Sequence, residues 1–201
     1  KDLEDKVGQV FQRFKVATEE ISKLAYQQYN DLLLLRNDVK QISQLIEQQL
    51  YPAISKSSPD ALPKVDAILN MNVRISQFSA SIEGYVAQQD QALLKNIKRR
   101  KMEFEAFQKN LNEFQISSEE EEAIGQINNM YSELSQASDA VIQTTEKLTQ
   151  VIGQSSTDTQ SIVGYLNTIS GSEGSNAVAE KSESSTWGMV SGFAGSLVLA
   201  C

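Results

Sequence analysis

One stretch in the middle of the chain decides between a three-helix and a four-helix fold: Glu83-Gly84-Tyr85-Val86-Ala87-Gln88-Gln89-Asp90-Gln91-Ala92-Leu93-Leu94. Before it, an apolar seam in heptad spacing runs through Val65, Ile68, Asn72, Ile75, Ser79, Ile82 and Val86. After it, the seam runs through Leu93, Ile97, Phe104, Phe107, Leu111 and Phe114, with a four-residue slip. Such a slip is either a stutter within one helix or a turn between two. Asp90 could cap a new helix after such a turn, and the residues alone leave both readings open.

Two longer amphipathic segments flank this region. The first, over about residues 1–51, has its seam at Val7, Phe11, Phe14, Thr18, Ile21, Ala25, Gln28, Leu32, Leu35, Val39, Ile42, Ile46 and Gln49. The last, over about 118–170, has its seam at Ile124, Ile127, Tyr131, Leu134, Ser138, Val141, Thr145, Leu148 and Ile152. These alternating spacings of three and four predict helices with one packed face. Ser117 with Glu120, and Ser118 with Glu121, both fit a capping box at the start of the last helix.

Three prolines fall close together, at Pro52, Pro59 and Pro63. Proline removes an amide donor and disfavours the helical region for the residue before it. The stretch from Tyr51 to Pro63 is therefore predicted to be a turn between the first two helices.

Composition excludes several classes of function. The net charge is −8, which repels nucleic acid phosphates. Histidine is absent, and the single cysteine is Cys201. The commonest general base and metal ligand are therefore missing, and neither a disulfide nor a zinc cluster can form within the chain. No catalytic residue, metal site or cofactor is predicted, and the chain is not expected to be an enzyme.

The C-terminal third changes character. Residues 171–183 are rich in glycine and serine, and 184–201 carry no charge. Eighteen uncharged residues approach the length of a bilayer-spanning helix, and Trp187 is placed as an interfacial anchor. We therefore expect 184–201 to be a truncated transmembrane helix, preceded by a juxtamembrane segment.

Topology then favours four helices. A domain between two membrane segments must return to the face that it left, and an unbroken helix from 64 to 114 would leave the last helix far from the membrane. We therefore predict an all-α, elongated antiparallel four-helix bundle, with helices at about 1–51, 62–88, 90–115 and 118–170. The outer halves of the two long helices would pack in the bundle with the two shorter helices, and their inner halves would form a two-helix stalk, which would gain by pairing in a homodimer. The apolar run Leu32–Leu35 is a candidate subunit contact.

The order of these elements, and the Gly84-Tyr85-Val86 run followed by the turn before Leu93, resemble a known family. The chain is similar to the all-helical extracytoplasmic sensor domains of bacterial chemoreceptors and sensor histidine kinases, including the helical bimodular type. The resemblance implies a homodimeric signal-transduction receptor in the inner membrane, with residues 1–183 periplasmic. Gly171 and Gly174 depart from the rigid last helix of these receptors.

Small organic acids or amino acids are common ligands in such receptors, so the resemblance implies an anionic ligand. Arg36 and Arg74, predicted at nearly the same height on neighbouring helices, are candidate ligand-binding residues because paired arginines bind carboxylates. Asn72, a polar residue in the seam, is the third candidate, although seam asparagines more often specify register. A basic run over 95–101 could attract an anionic ligand, but such a run is more often a solvated helix face that opposes acidic neighbours, and this is the expectation.

Two alternatives belong to other classes. A tail-anchored membrane-fusion protein would have a seam glutamine in the last helix, whereas Gln136, Gln143 and Gln150 all lie off the seam. A helical toxin would hide an apolar hairpin, and none is evident before residue 184. A purely structural coiled coil is the third possibility.

Overall fold

The computed structural model describes residues 2–57 and 60–170. These residues are almost entirely helical, and no strand occurs among them, so the all-α prediction is confirmed. The elements are α1 (Asp2–Leu45), a π-helical segment (Ile46–Leu50), α2 (Tyr51–Ser57), α3 (Ala61–Gln88), α4 (Gln91–Asn112) and α5 (Ser118–Ser170). Over the described residues, no helix is long and apolar enough to cross a bilayer. The predicted juxtamembrane segment and transmembrane helix, 171–183 and 184–201, lie outside this range.

The described chain forms two compact units. Among the described residues, the first contains those up to Ala25 and those from Lys147 to Ser170, and the second contains those within Tyr26–Glu146. In the first unit, α1 and α5 run antiparallel. Arg13 donates to Asp158 at 3.1 Å, and Lys147 pairs with Glu20 at 3.0 Å.

In the second unit, side chains of all five α-helices and of the π-helical segment share one apolar core. Its buried residues are Leu35, Ile42, Ile46, Leu50, Ile54, Ala67, Ile68, Met71, Ile75, Phe78, Ile82, Tyr85, Ile97, Phe104, Leu111, Ala123, Ile124, Ile127, Tyr131, Leu134 and Val141. Phe104 stacks on Tyr131 with ring centroids 4.1 Å apart. Burial of aliphatic and aromatic side chains of this kind contributes about 1.5–3 kcal/mol each before entropy is counted.

The stretch that decides the fold forms a turn. Helix α3 ends at Gln88, and Gln89 adopts a left-handed conformation with φ 54°, its amide donating to the carbonyl of Tyr85. Asp90 then caps α4, and its carboxylate accepts from the amide of Ala92 at 2.8 Å. The slip in the seam is therefore a turn between two helices rather than a stutter.

The capping box at the start of α5 uses the first of the two predicted pairs. The Ser117 amide donates to Glu120 Oε2 at 2.7 Å, and the Glu120 amide donates to Ser117 Oγ at 3.2 Å. Two donors that the helix leaves unsatisfied are thus paired.

The predicted turn over Tyr51–Pro63 is wrong for its first half, because α2 continues the helical path through Ser57. The π-helical segment ends two residues before Pro52, and the Tyr51 amide donates to the carbonyl of Ile46, five residues back. This wider turn changes the helical path next to the proline, whose ring would clash with a carbonyl four residues back in an α-helix. The C-terminus of α4 also differs, at Asn112 instead of about 115.

Two predicted seams are only partly confirmed. Helix α3 buries the predicted positions Ile68, Ile75, Ser79 and Ile82, and it also buries Lys64, Ala67, Met71, Phe78 and Tyr85. The predicted positions Asn72, Val65 and Val86 are only partly buried. Helix α1 buries the predicted positions Leu35 and Ile42, but nearer its start it buries Val10, Ala17 and Leu24, each one residue before the predicted position, and Phe11 is 55% exposed. On α5, by contrast, every predicted seam position from Ile124 to Thr145 is buried.

Candidate functional site

The three predicted ligand-binding residues all lie in the second unit, but the structure does not bring them together. Arg36 of α1 donates from Nε to Glu83 of α3 at 2.9 Å. Asn72 of α3 donates to Glu47 of the π-helical segment that follows α1 at 3.3 Å. Between these two contacts the chain advances by eleven residues, from Arg36 to Glu47, and on α3 it goes back by eleven residues, from Glu83 to Asn72. The two stretches therefore run antiparallel in this register. Arg74 lies nine residues from Glu83, or about 13 Å along the helix axis. The predicted equal height of Arg36 and Arg74 is therefore wrong.

Asn72 already has an acidic neighbour, Glu47 of the π-helical segment. Within the described residues its Oδ1 atom is buried without a hydrogen-bond partner, while its amide nitrogen faces Glu47. The residue is partly buried at the edge of the α1–α3 contact. Such placement fits a positioning contact between two helices better than a ligand contact.

Arg74 instead belongs to a cluster formed with α4. Its Nε lies 3.3 Å from Glu103 Oε2, and its Nη1 donates to Gln77 at 2.9 Å. The Nε–H does not point at the carboxylate, so this contact is an ion pair without hydrogen-bond geometry. The Arg74 side chain is 28% exposed, so the group is neither fully desolvated nor free in water.

Glu103 receives two more guanidinium groups. Arg100 donates to Oε2 at 2.7 Å, and Arg99 Nε lies 3.8 Å from Oε1. We call Arg74, Arg99, Arg100 and Glu103 the arginine cluster. The hydrogen bond from Arg100, and the charges of Arg100, Arg74 and Arg99, hold the pKa of the Glu103 carboxyl below its usual value despite partial burial. The cluster therefore carries three positive charges and one negative charge at neutral pH.

The basic run over 95–101 is only partly the solvated face that the sequence predicts. Lys95 and Lys98 are exposed, but Arg100 is only 19% exposed and is oriented by Glu103. Arg99 also donates to Asn96 at 3.1 Å. The ion pairs of Arg100 and Arg99 with Glu103 could be predicted from the sequence, because Glu103 lies three residues after Arg100 and four after Arg99 on the same helix. The long-range partner, Arg74, could not be placed without the register of α3 against α4.

A second charged site was missed entirely. Lys64 and Glu120 are each 1% exposed, and Lys64 Nζ donates to both carboxylate oxygens at 3.0 and 2.9 Å. The same nitrogen donates to the carbonyl of Gln115 at 2.6 Å. The pair joins the start of α3 to the capping box of α5, and each charged group is satisfied by several bonds. Its role is structural, because the pair is closed to solvent.

The helix α1 also carries partly buried carboxylates. Burial raises the pKa of Asp31, and Asp31 Oδ2 has no hydrogen-bond partner among the described residues. Burial and the charge of Glu133 raise the pKa of Asp38. On α3, burial and then the charge and hydrogen bond of Glu146 raise the pKa of Tyr85. Nearby, Gln28 donates to Thr145 at 2.8 Å, so two predicted seam positions meet.

One open groove lies between α1 and α5 in the second unit. Its volume is about 450 Å³, and its walls are mainly amide side chains: Gln41, Gln44, Gln48, Gln49, Gln126 and Asn129, with Leu45 and Met130. It has no charged lining residue, so its chemistry does not match the predicted anionic ligand. In the described part of the chain, no three His, Cys, Asp or Glu residues are grouped to hold a metal ion.

Comparison with known proteins gives no match: no protein-family profile, curated protein or solved structure is detectably similar to this chain. The function is therefore inferred from the fold and the charged sites alone.

Proposed function

We propose that this chain is the extracytoplasmic, ligand-sensing part of a homodimeric transmembrane signalling receptor of the chemoreceptor or sensor-kinase type. Its second unit would be an antiparallel four-helix bundle, and 184–201 would enter the inner membrane.

The observation that carries the proposal is the position of the two ends of the helical region. Arg13 contacts Asp158, and Glu20 contacts Lys147, so the first turns of α1 lie beside the later turns of α5. A sensing domain between two membrane segments needs this arrangement, because both connections must leave on one side. The remaining helices, α3 and α4, then lie wholly within the second unit.

Dimerisation is favoured by apolar side chains that one copy leaves in water. In the first unit these include Phe11 at 55% and Val16 at 61% exposed. Two helices packed only on one another bury little apolar surface, so a second copy would stabilise them. On α1 of the second unit, Leu33 and Leu34 are exposed, while Leu35 is fully buried. The predicted subunit contact at Leu32–Leu35 therefore has apolar surface available.

Signalling in such a dimer would arise from a difference in ligand affinity between two packings of the helices. A ligand that binds one packing of the helices more tightly than another shifts the population toward that packing. The coupling free energy between ligand and output is then set by that difference, not by the affinity itself.

The test combines a ligand screen with a measurement of assembly. The 201-residue chain in mild detergent is screened by thermal denaturation against organic acids, amino acids, sugars and inorganic anions, and its mass is measured by sedimentation. We expect at least one class to raise the melting temperature and the chain to be dimeric at high concentration. A monomer that no compound stabilises would contradict the proposal.

A further inference from the structure

The arginine cluster holds more positive charge than its own carboxylate can neutralise. Three guanidinium groups surround Glu103, and Glu103 is held ionised by them. The local charge is therefore +2 in a chain whose net charge is −8. Such an isolated positive region attracts anions over about 8–10 Å at physiological ionic strength.

Two of the three guanidinium groups are also oriented by neutral side chains. Gln77 accepts from Arg74, and Asn96 accepts from Arg99. Arg100 is 19% exposed and Arg74 is 28% exposed, so both are partly desolvated while still open to solution. Oriented donors lose less conformational entropy when they bind, and partial desolvation strengthens their charge interactions.

We propose that Arg74, Arg99 and Arg100 bind a small dianionic oxyanion, and that Glu103 is an internal competitor for the same donors. Each guanidinium has five N–H donors, more than the bonds described above use. A ligand of charge −2 would balance the excess charge of the cluster. The matching class is a short dicarboxylate or a tetrahedral dianion, since both present several oxygens to forked donors.

This inference rests on the proposed sensing function and names its ligand class. It retains Arg74 from the sequence-based prediction and replaces Arg36 and Asn72 by two residues of α4. It also places the ligand on the outer side of α3 and α4, where it would join two helices that are connected by the turn at Gln89 and Asp90.

The test is isothermal titration of the full 201-residue chain with succinate, malate, sulfate and phosphate, each at constant ionic strength set by chloride. We expect saturable binding of at least one dianion. Arg74→Gln and Arg100→Gln should each weaken binding about 10- to 100-fold, because a charge-assisted hydrogen bond contributes about 1.5–3 kcal/mol. Whether a dicarboxylate or a tetrahedral anion binds more tightly identifies the ligand's shape.

Glu103→Gln gives the sharpest result, because it should act in the opposite direction. Removing the competing carboxylate should tighten binding several-fold, whereas loss of a merely structural residue would weaken it. Lys98→Gln is the matched control: it removes one charge from the same helix, roughly 140° around the axis from Glu103. The control should change the affinity by less than about twofold, if binding depends on specific donors rather than net charge.

Several results would overturn the inference. These are no saturable binding by any dianion, an equal effect of chloride, equal losses in Lys98→Gln and Arg74→Gln, or weaker binding in Glu103→Gln. Circular dichroism of each variant excludes unfolding as the cause. If dianions fail while another class stabilises the chain, this site is wrong and the sensing proposal stands. If the dianion pattern holds in a strictly monomeric chain, the site stands and the homodimeric part of the receptor proposal is contradicted.

Discussion

Two charged regions of the second unit differ in burial, and burial decides what each can do. Lys64 and Glu120 are both 1% exposed, and their charges are matched one to one. At the arginine cluster the side chains are 19–58% exposed, and three cations share one carboxylate. Substitution of either residue in a matched pair closed to water is costly, because the remaining charge would be buried without a partner. An unmatched cluster open to water has little effect on folding and remains available to a ligand.

The largest expected effect is at the buried pair. Lys64→Met leaves the Glu120 carboxylate buried without its cation and should lower the free energy of unfolding by about 3–5 kcal/mol. Urea denaturation at pH 7 measures the change. The double variant Lys64→Met with Glu120→Leu should recover most of the loss, apart from about 1 kcal/mol for the missing cap on the Ser117 amide. A double variant as unstable as the single one would mean that the pair itself is strongly stabilising.

The next largest effect is expected at an ion pair of which only one partner is buried. Asp158 is 4% exposed, whereas its partner Arg13 is 57% exposed. Arg13→Ala strands a buried carboxylate and should cost about 1–3 kcal/mol. Asp158→Ala should cost less, because it also removes Oδ2, which has no hydrogen-bond partner among the described residues. Hydrogen exchange of the amides in 147–168 measures the loss of stability in both variants. A larger loss in Asp158→Ala than in Arg13→Ala would show that burial of the carboxylate does not decide the size of the loss.

A smaller, pH-dependent effect is expected at Asp31. Burial raises the pKa of this carboxyl, so its ionised form is less favourable in the folded state than in the unfolded state. Asp31→Asn should therefore raise the melting temperature at pH 7, by less than Arg13→Ala lowers it. As the pH falls through the raised pKa, wild-type Asp31 takes up a proton and the difference should close. A difference that is constant from pH 7 to pH 4 would exclude this cause.

The smallest effect on stability is expected at the arginine cluster. Glu103→Gln removes the only carboxylate described there, but the group is open to solvent and its ion pairs are screened. The melting temperature should change by no more than about 2 °C at 0.15 M salt. A larger loss would indicate that the cluster supports the fold, as the buried pair does, and would weaken its assignment as a ligand site.

Sequence periodicity predicted the helices well where one face is strongly apolar. Every seam residue of α5 from Ile124 to Thr145 is buried, and the caps at Asp90 and Ser117 lie where their side-chain chemistry placed them. In α3 the row of Ile68, Ile75 and Ile82 is buried as predicted, but the second row lies one residue earlier, where Lys64, Met71, Phe78 and Tyr85 are buried. Lys64 was left out of the core since a lysine is rarely buried without a partner.

Prediction of the charged sites required the register of each helix against its neighbours, and the spacing of residues along one helix does not determine that register. Arg36 and Arg74 were expected at the same height, but the contacts of Arg36 with Glu83 and Asn72 with Glu47 place them apart. The partnership of Arg74 with Glu103 required knowing which turns of α3 and α4 face each other. Sequence identified Arg74 as a candidate and the run over 95–101 as a positive patch, and geometry joined Arg74 to Arg99 and Arg100 through Glu103.

The π-helical segment has a consequence for how this chain can vary. Ile42, Ile46, Leu50 and Ile54 are all buried and recur every four residues, a spacing that drifts around an α-helix by about 40° each turn. The wider turn at Ile46–Leu50 reduces that drift and therefore behaves as a one-residue insertion absorbed inside a helix. Related sequences that lack this residue should have a continuous α-helix there, with an apolar spacing of three at the same point and no proline at position 52.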